Sequence, residues 1–229
     1  MKLFLSHQRT SLSLKAILLV GAAGALWEQQ WLTAAITIGI VLITFVPMLL
    51  TRRFNIVITA EFELLAIGFV FASLFLGEVR GFYVRFWWWD IVLHTASGFL
   101  LGIIGFLLVH VLNEIKEVGL YMKPGFVALF AFLFALGMGA LWEIFEFSMD
   151  GLLGLNMQKP MFGDASGLTD TMWDLIVDAA GALIISVLGY ISLRSTRRRL
   201  FLQRWIVAFI RRNPRLFGRG RSSVRPRRN

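Results

Sequence analysis

The sequence predicts an all-α fold, a polytopic membrane helix bundle with about six transmembrane helices. Three observations carry that expectation. The 229 residues are 57% hydrophobic and 16% charged, where a soluble domain is nearer half apolar and a quarter charged. The apolar residues gather in runs of roughly 20, the length that crosses about 30 Å of hydrocarbon. The basic residues, finally, sort to one side of those runs.

The spans follow in order from apolar runs broken by charged or turn residues. The first, 12–27, follows a basic lead-in (Lys2, Arg9, Lys15) and carries GAAGA at 21–25. Those features also suit a signal peptide, but the polar lead-in is long for one, which favours a retained helix. The second, 31–50, stops at Arg52 and Arg53, and the third covers 57–76. The fourth, 88–112, is entered through WWWD, the fifth, 124–149, begins at a proline, and the sixth covers 171–193. Residues 1–193 thus read as a six-span transmembrane domain and 194–229 as a basic cytoplasmic tail.

Orientation comes from the loops. With both termini cytoplasmic, 20 of the 23 lysines and arginines lie inside, and only Arg80, Arg85 and Lys159 lie outside. Without the tail the division is still 7 against 3, so the positive-inside rule is not carried by one segment. A multi-pass protein of the bacterial inner membrane is expected.

The net charge of +9 invites a nucleic-acid reading, but thirteen of the eighteen arginines lie from Arg194 onward. A tail of that kind marks a cytoplasmic end beside anionic lipid, not a nucleic-acid surface. Arg197, Arg204 and Arg211 recur every seven residues, with Phe201, Trp205, Ile206 and Phe209 supplying apolar surface. A short amphipathic helix on the inner leaflet fits that pattern, and the composition beyond Pro214 reads as disorder.

The chain has no cysteine, which excludes disulfides, thiolate metal sites and a cysteine nucleophile. Its ligand and acid–base chemistry rests on three histidines and fourteen carboxylates. In the expected topology, Asp90 and His94 lie in the outer third of the fourth span. Glu143, Glu146 and Asp150, in ALWEIFEFSMDG, lie in the outer half of the fifth, and Asp170, Asp174 and Asp178 in the outer half of the sixth. The spacings are i,i+4 for the first pair, i,i+3,i+7 for the second set and i,i+4,i+8 for the third. Each makes one stripe on a helix. A charge at mid-membrane costs about 2.5–3.5 kcal/mol on insertion scales, so such stripes must face one another or a wet cavity.

So many carboxylates beside one imidazole cannot all ionise unless something positive joins them. Either several keep their protons or a metal ion sits among them. Oxygen-rich ligation with one histidine suits Mg, Mn, Zn or Fe(II) better than copper. The expected ligands are Asp90, His94, Glu143, Glu146, Asp174 and Asp178, with Glu143 and Asp178, deepest in their spans, as the catalytic carboxylates. Simpler readings stand beside this one. Asp170 suits a cap of the sixth helix, and Thr171-x-x-Asp174 suits a capping box. Asp150 suits a solvated helix end, and Asp90 an interfacial position below the tryptophans. A structural hydrogen-bond network would account for the whole set.

Other polar groups carry less. Glu61, Glu63 and His110 fall near the cytoplasmic face, away from the cluster. Ser97 follows His94 by three residues, a pairing too common to argue for a serine nucleophile. Gly98 with Gly102, and GMGA at 137–140, suit close helix packing. In the loop MQKPMFGDASGLTD, 157–170, Lys159 and Asp164 are placed to meet a lipid head group, though a plain connector fits equally.

The motifs D-x-x-x-H (Asp90, His94), W-E-x-x-E (Trp142, Glu143, Glu146) and D-x-x-x-D-x-x-G (Asp174, Asp178, Gly181) resemble those of the uncharacterised inner-membrane family typified by YjdF, over roughly residues 57 to 193. More distantly the chain is similar to VanZ-like proteins, whose pattern runs D-x-x-H, E-x-x-Q and a late aspartate before glycines. Here the first spacing is one residue longer, and Glu146 stands where those proteins usually carry glutamine. VanZ-like proteins are associated with glycopeptide resistance at the cell envelope. The resemblance implies six spans and a site of polar residues, and no substrate.

Three functions fit these residues. The first is a metal-dependent hydrolase acting at the outer leaflet on a lipid-linked or phosphorylated envelope substrate. The second is an ion- or proton-coupled transporter, which needs a path inward that only Glu61, Glu63 and His110 can supply. The third is a non-catalytic envelope accessory protein whose acids lock its helices.

Overall fold

The computed structural model describes residues 2–54, 57–114, 122–194 and 201–214. Among them, six helical segments are long and apolar enough to cross a membrane, and the fold is all-α. The main helices are α1 (Lys2–Trp27), α2 (Trp31–Ile43), α3 (Val46–Phe54) and α4 (Ala60–Val70). They are followed by α5 (Phe82–Arg85), α6 (Trp89–Glu114), α7 (Pro124–Leu153), α8 (Leu168–Arg194) and α9 (Phe201–Arg212).

Two of the expected spans are irregular. The second is broken between α2 and α3, where Thr44 turns its hydroxyl back to the Val41 carbonyl at 2.6 Å. Pro47 has no N–H to offer Ile43, and its ring crowds that carbonyl, so the helix cannot run through. The third span continues α4 through a π-helical stretch, Phe71–Val79, closed by a bond from Arg80 N to Phe75 O at 2.9 Å. The widened turn leaves carbonyls for side chains, and Trp89 Nε1 donates to Ala72 O at 3.3 Å.

The helices gather around two apolar centres. One joins Leu18 of α1, Ile40 and Val41 of α2, and Phe75 of the π-helical stretch. The other joins Ile103, Phe106 and Val109 of α6, Val127 and Ala131 of α7, Ile185 of α8 and Ile210 of α9. In this second group the buried stripe of α7 is Val127, Ala131, Ala135, Gly139, Glu143 and Glu146. That of α8 is Asp170, Asp174, Asp178, Gly181, Ala182, Ile185, Ser186, Gly189 and Ser192. Each stripe is one helix face, small or apolar over most of its length and acidic at one end. The outward faces hold Leu141, Ile144, Phe147, Ile176, Leu183 and Ile184, all exposed. Acids within and leucines without is the polarity of a protein dissolved in lipid.

Glycines set how closely these helices lie. A Cβ on Gly98 of α6 would overlap the Asp178 carbonyl of α8, and one on Gly181 would overlap the Thr95 carbonyl of α6. Gly102 receives the Ile185 side chain in the same way, so the small step at 98 and 102 is an interface. In GMGA, Gly139 lies against the Asp178 carboxylate, whereas Gly137 has no neighbour within 4 Å of where its Cβ would stand.

The tail helix is docked on the bundle. Ile210 is buried in the second core, and the Trp205 ring meets Phe62 edge-on at 5.3 Å between centroids. Asn213, also buried, holds the start of the third span. Its Oδ1 accepts from Val57 N at 2.6 Å, and its Nδ2 donates to Val57 O and Phe209 O, both at 2.8 Å. The basic run around Arg197 and the stretch beyond Pro214, read from sequence as disordered, lie outside the described residues.

Gly181→Val puts a branched side chain into a helix carbonyl, and overpacking of that kind costs about 1–3 kcal/mol or more. It is expected to lower the melting temperature of the detergent-solubilised protein by several degrees. Gly137→Ala, whose new methyl meets open space, is expected to leave it unchanged or raise it slightly. Circular dichroism melts of the two variants check the pair.

Candidate functional site

The acidic ends of α7 and α8 meet the start of α6 at one end of this three-helix group, around the imidazole of His94. Its Nε2 is 3.5 Å from Asp90 Oδ1, one turn earlier on α6, and 3.8 Å from Asp174 Oδ2 on α8. Its Nδ1 is 3.4 Å from Asp178 Oδ2 on α8 and 3.9 Å from Glu143 Oε1 on α7. Four carboxylates from three helices therefore surround one histidine, two on each ring nitrogen. Side-chain exposure is 1% for Asp174 and Asp178, 3% for Glu143, 11% for His94 and 18% for Asp90. The site is closed in depth and opens at the Asp90 edge.

Hydrogen bonds divide the members. Asp178 is held through Oδ1, which accepts from Ser97 Oγ at 2.7 Å. Among the described residues, Asp174 has no hydrogen-bond partner on either oxygen, and Glu143 has none of normal length. One ligand atom each from Asp90, His94 and Asp174 lie within 4.8 Å of one another, so these three form a group able to hold a metal ion. Glu146 is buried on the same face of α7, but its Oε1 is taken by Trp142 Nε1 at 2.8 Å.

The family described as "Predicted membrane protein (DUF2238)" matches residues 7–195, a stretch that contains every residue of this cluster. The chain belongs to the DUF2238 family. That bears out the kinship with an uncharacterised membrane family expected from the motifs. A protein of Thermotoga maritima, named only "Uncharacterized protein", is 34% identical over 121 residues, which are 53% of this chain and 57% of the relative. The match thus spans little more than half of that relative's length. No solved structure matches the chain.

Two of the acids in this DUF2238 chain serve the loop between α7 and α8. Asp150 accepts from the backbone of Met157 at 2.7 Å and of Gln158 at 2.9 Å. Asp170 accepts from Lys159 N at 2.6 Å. The capping-box reading fails, because α8 already begins at Leu168. Thr171 Oγ1 instead accepts from Gln158 Nε2 at 2.7 Å, and Asp174 is left without a donor. Glu61 and Glu63 fall in the first turn of α4, apart from the cluster; the side chain of His110 is outside the described residues.

The loop is tied to itself as well. Phe162 and Gly163 turn it through positive φ, 51° and 83°. Asp164 then accepts from Ser166 N, Thr169 N and Thr169 Oγ1 at 2.8, 3.0 and 2.7 Å. The Ser166 hydroxyl first, then the Ser166 amide and the Thr169 hydroxyl and amide, hold the Asp164 carboxyl well below the usual aspartate range. Lys159 bonds the Asn156 carbonyl and lies 3.7 Å from Glu78 Oε1 and 5.7 Å from the Tyr83 ring centre. Tyr83 packs on Gly77 in the π-helical stretch. Burial, with Asp90 and Glu78 adding, pushes its phenol up, so it remains a neutral donor.

Ser97, Glu78 and Tyr83 are what the sequence reading missed at this site. Ser97 sits one turn from His94 and was weighed only as a nucleophile. Glu78 and Tyr83 carry no motif and meet the loop through Lys159, a contact that only the tertiary structure shows.

Two outcomes follow for the loop. Asp150→Ala leaves the Met157 and Gln158 amides without their acceptor, and their hydrogen exchange should quicken by at least tenfold. Because the folded pKa of Asp164 is depressed, its contribution is present above the unfolded value near 4 and is lost only as pH falls through the lower folded value. Exchange protection of the Ser166 and Thr169 amides is therefore expected to persist at pH 4 in the wild type and to drop at all pH values in Asp164→Ala.

Proposed function

We propose that this protein is a metal-dependent hydrolase of the bacterial inner membrane, acting at the outer leaflet on a lipid-linked or phosphorylated substrate. The supporting observation is Asp174. A carboxylate fully buried in a membrane bundle, with no donor to either oxygen, is costly unless a cation compensates it. Ligands about 2.1 Å from a tetrahedral ion stand about 3.4 Å apart, and His94 Nε2 lies 3.5 and 3.8 Å from its two carboxylate neighbours. A charge-assisted hydrogen bond would draw these atoms to about 2.8 Å.

Asp90, His94 and Asp174 would hold a divalent ion, Zn, Mn, Mg or Fe(II). Such an ion would supply polarisation of a phosphoryl oxygen and a water of lowered pKa. Glu143, buried and without a normal hydrogen bond, serves as general base. Its carboxylate would take a proton from a water whose oxygen bonds to phosphorus as the bond from phosphorus to the leaving oxygen breaks, and would then return that proton to the leaving oxygen. Glu146 shares the buried face of α7 with Glu143, and the partly exposed Asp90 marks the edge at which a substrate would enter. The distribution of basic residues supports cytoplasmic termini, which set this end of the bundle outside, with the basic tail against anionic lipid.

Protein purified in detergent and equilibrated with zinc or manganese is expected to hold about one ion per chain by elemental analysis. Asp174→Ala is expected to lose it. Glu143→Gln is expected to keep the ion while hydrolysis of a polyisoprenyl pyrophosphate in mixed micelles falls by about 10²–10⁴-fold. A wild type that binds no divalent ion overturns the reading. So does proton flux in proteoliposomes with no turnover, which would favour a transporter.

A further inference from the structure

We infer that Asp178 is a positioning residue, which with Ser97 fixes the imidazole of His94 so that Nδ1 carries a proton and Nε2 presents its lone pair between Asp90 and Asp174. The inference rests on the metal reading and refines it by moving Asp178 from the ligand set to the support of a ligand.

The two faces of the ring differ. On the Nε2 side, Asp174 lacks any hydrogen-bond partner, and Asp90 opens toward the surface. On the Nδ1 side, Asp178 is 1% exposed and anchored. Its Oδ1 lies 2.7 Å from Ser97 Oγ, leaving Oδ2 to face Nδ1 at 3.4 Å. Ser97 Oγ is also 2.8 Å from the His94 carbonyl. Of these two contacts the one to Asp178 is the shorter, and the hydroxyl thus links the backbone of His94 to the carboxylate that faces its ring.

Three glycines fix where that carboxylate stands. Gly98 and Gly181 let the main chains of α6 and α8 touch at Asp178 and Thr95, and Gly139 of α7 leaves the space that Asp178 Oδ2 fills. With an ion on Nε2, a neutral imidazole has one proton, and it belongs on Nδ1, facing Oδ2. The reverse tautomer would set a lone pair against a carboxylate oxygen. A carboxylate accepting from the far nitrogen of a metal-bound histidine orients the ring and raises its basicity.

The experiment uses full-length protein in micelles, labelled with ¹⁵N-histidine and loaded with zinc. His7→Gln and His110→Gln identify the His94 signals. His94 is expected to bind zinc through Nε2 with Nδ1 protonated. Zinc affinity, measured by competition with a chromogenic chelator, should fall about 10–100-fold in Asp178→Ala. It should fall less in Asp178→Asn, which keeps an acceptor oxygen. Ser97→Ala should weaken binding and Ser97→Thr restore it. If Asp178→Ala does not fold, the Ser97 pair and the wild-type tautomer carry the test. Wild-type protein that binds neither zinc nor any other divalent ion overturns the metal reading together with this one. Zinc bound through Nδ1, or an affinity unchanged in folded Asp178→Ala and in Ser97→Ala, overturns the positioning role alone.

Discussion

Where Gly98 meets the carbonyl of Asp178 and Gly181 meets that of Thr95, the main chains of α6 and α8 are in contact. No side chain larger than hydrogen fits at either position. The approach is what lets His94, one turn before Gly98, reach two aspartates on the neighbouring helix. In lipid there is little hydrophobic force between helices, so packing of small residues and hydrogen bonds must supply the association. Gly102 and Gly189, which receive Ile185 and Phe106, extend the same fit along the helices.

That contact also explains how the bundle carries buried acids at all. Each of Glu143, Asp174 and Asp178 would be a large penalty on a helix alone in the membrane. Gathered around one imidazole they share a polar neighbour, and the apolar faces of α7 and α8 are left free to turn outward. The same α7 stripe that is Val127, Ala131 and Ala135 at one end is Glu143 and Glu146 at the other. One helix face thus serves as core and as site, with Gly139 marking the change.

Three polar side chains join segments. Asp150 and Asp170 fasten the α7–α8 loop beside the cluster, and Asn213 fastens α9 to the start of the third span. Such side chains satisfy backbone groups that have no helix to pair them. The broken second span and the π-helical third span show the same exchange, with Thr44 and Trp89 bonding carbonyls that regular helix would have used.

Sequence by itself determined the class of fold, the approximate spans and the stripes. Run length, apolar content and the i,i+3 and i,i+4 rules depend only on local order along one helix. Asp90, His94, Glu143, Asp174 and Asp178 were therefore legible as faces that had to be turned inward. What no stripe encodes is which atom of one helix meets which atom of another. Tertiary structure alone decided that Asp150 and Asp170 serve loop amides while Asp174 keeps both oxygens unbonded. It likewise set Asp178 against Ser97, and docked α9 on the bundle. Those outcomes turn on ångström-scale approach, set by glycines and by a loop with four positive-φ residues, Gly154, Phe162, Gly163 and Gly167, and a hydrogen bond forms or fails within that distance.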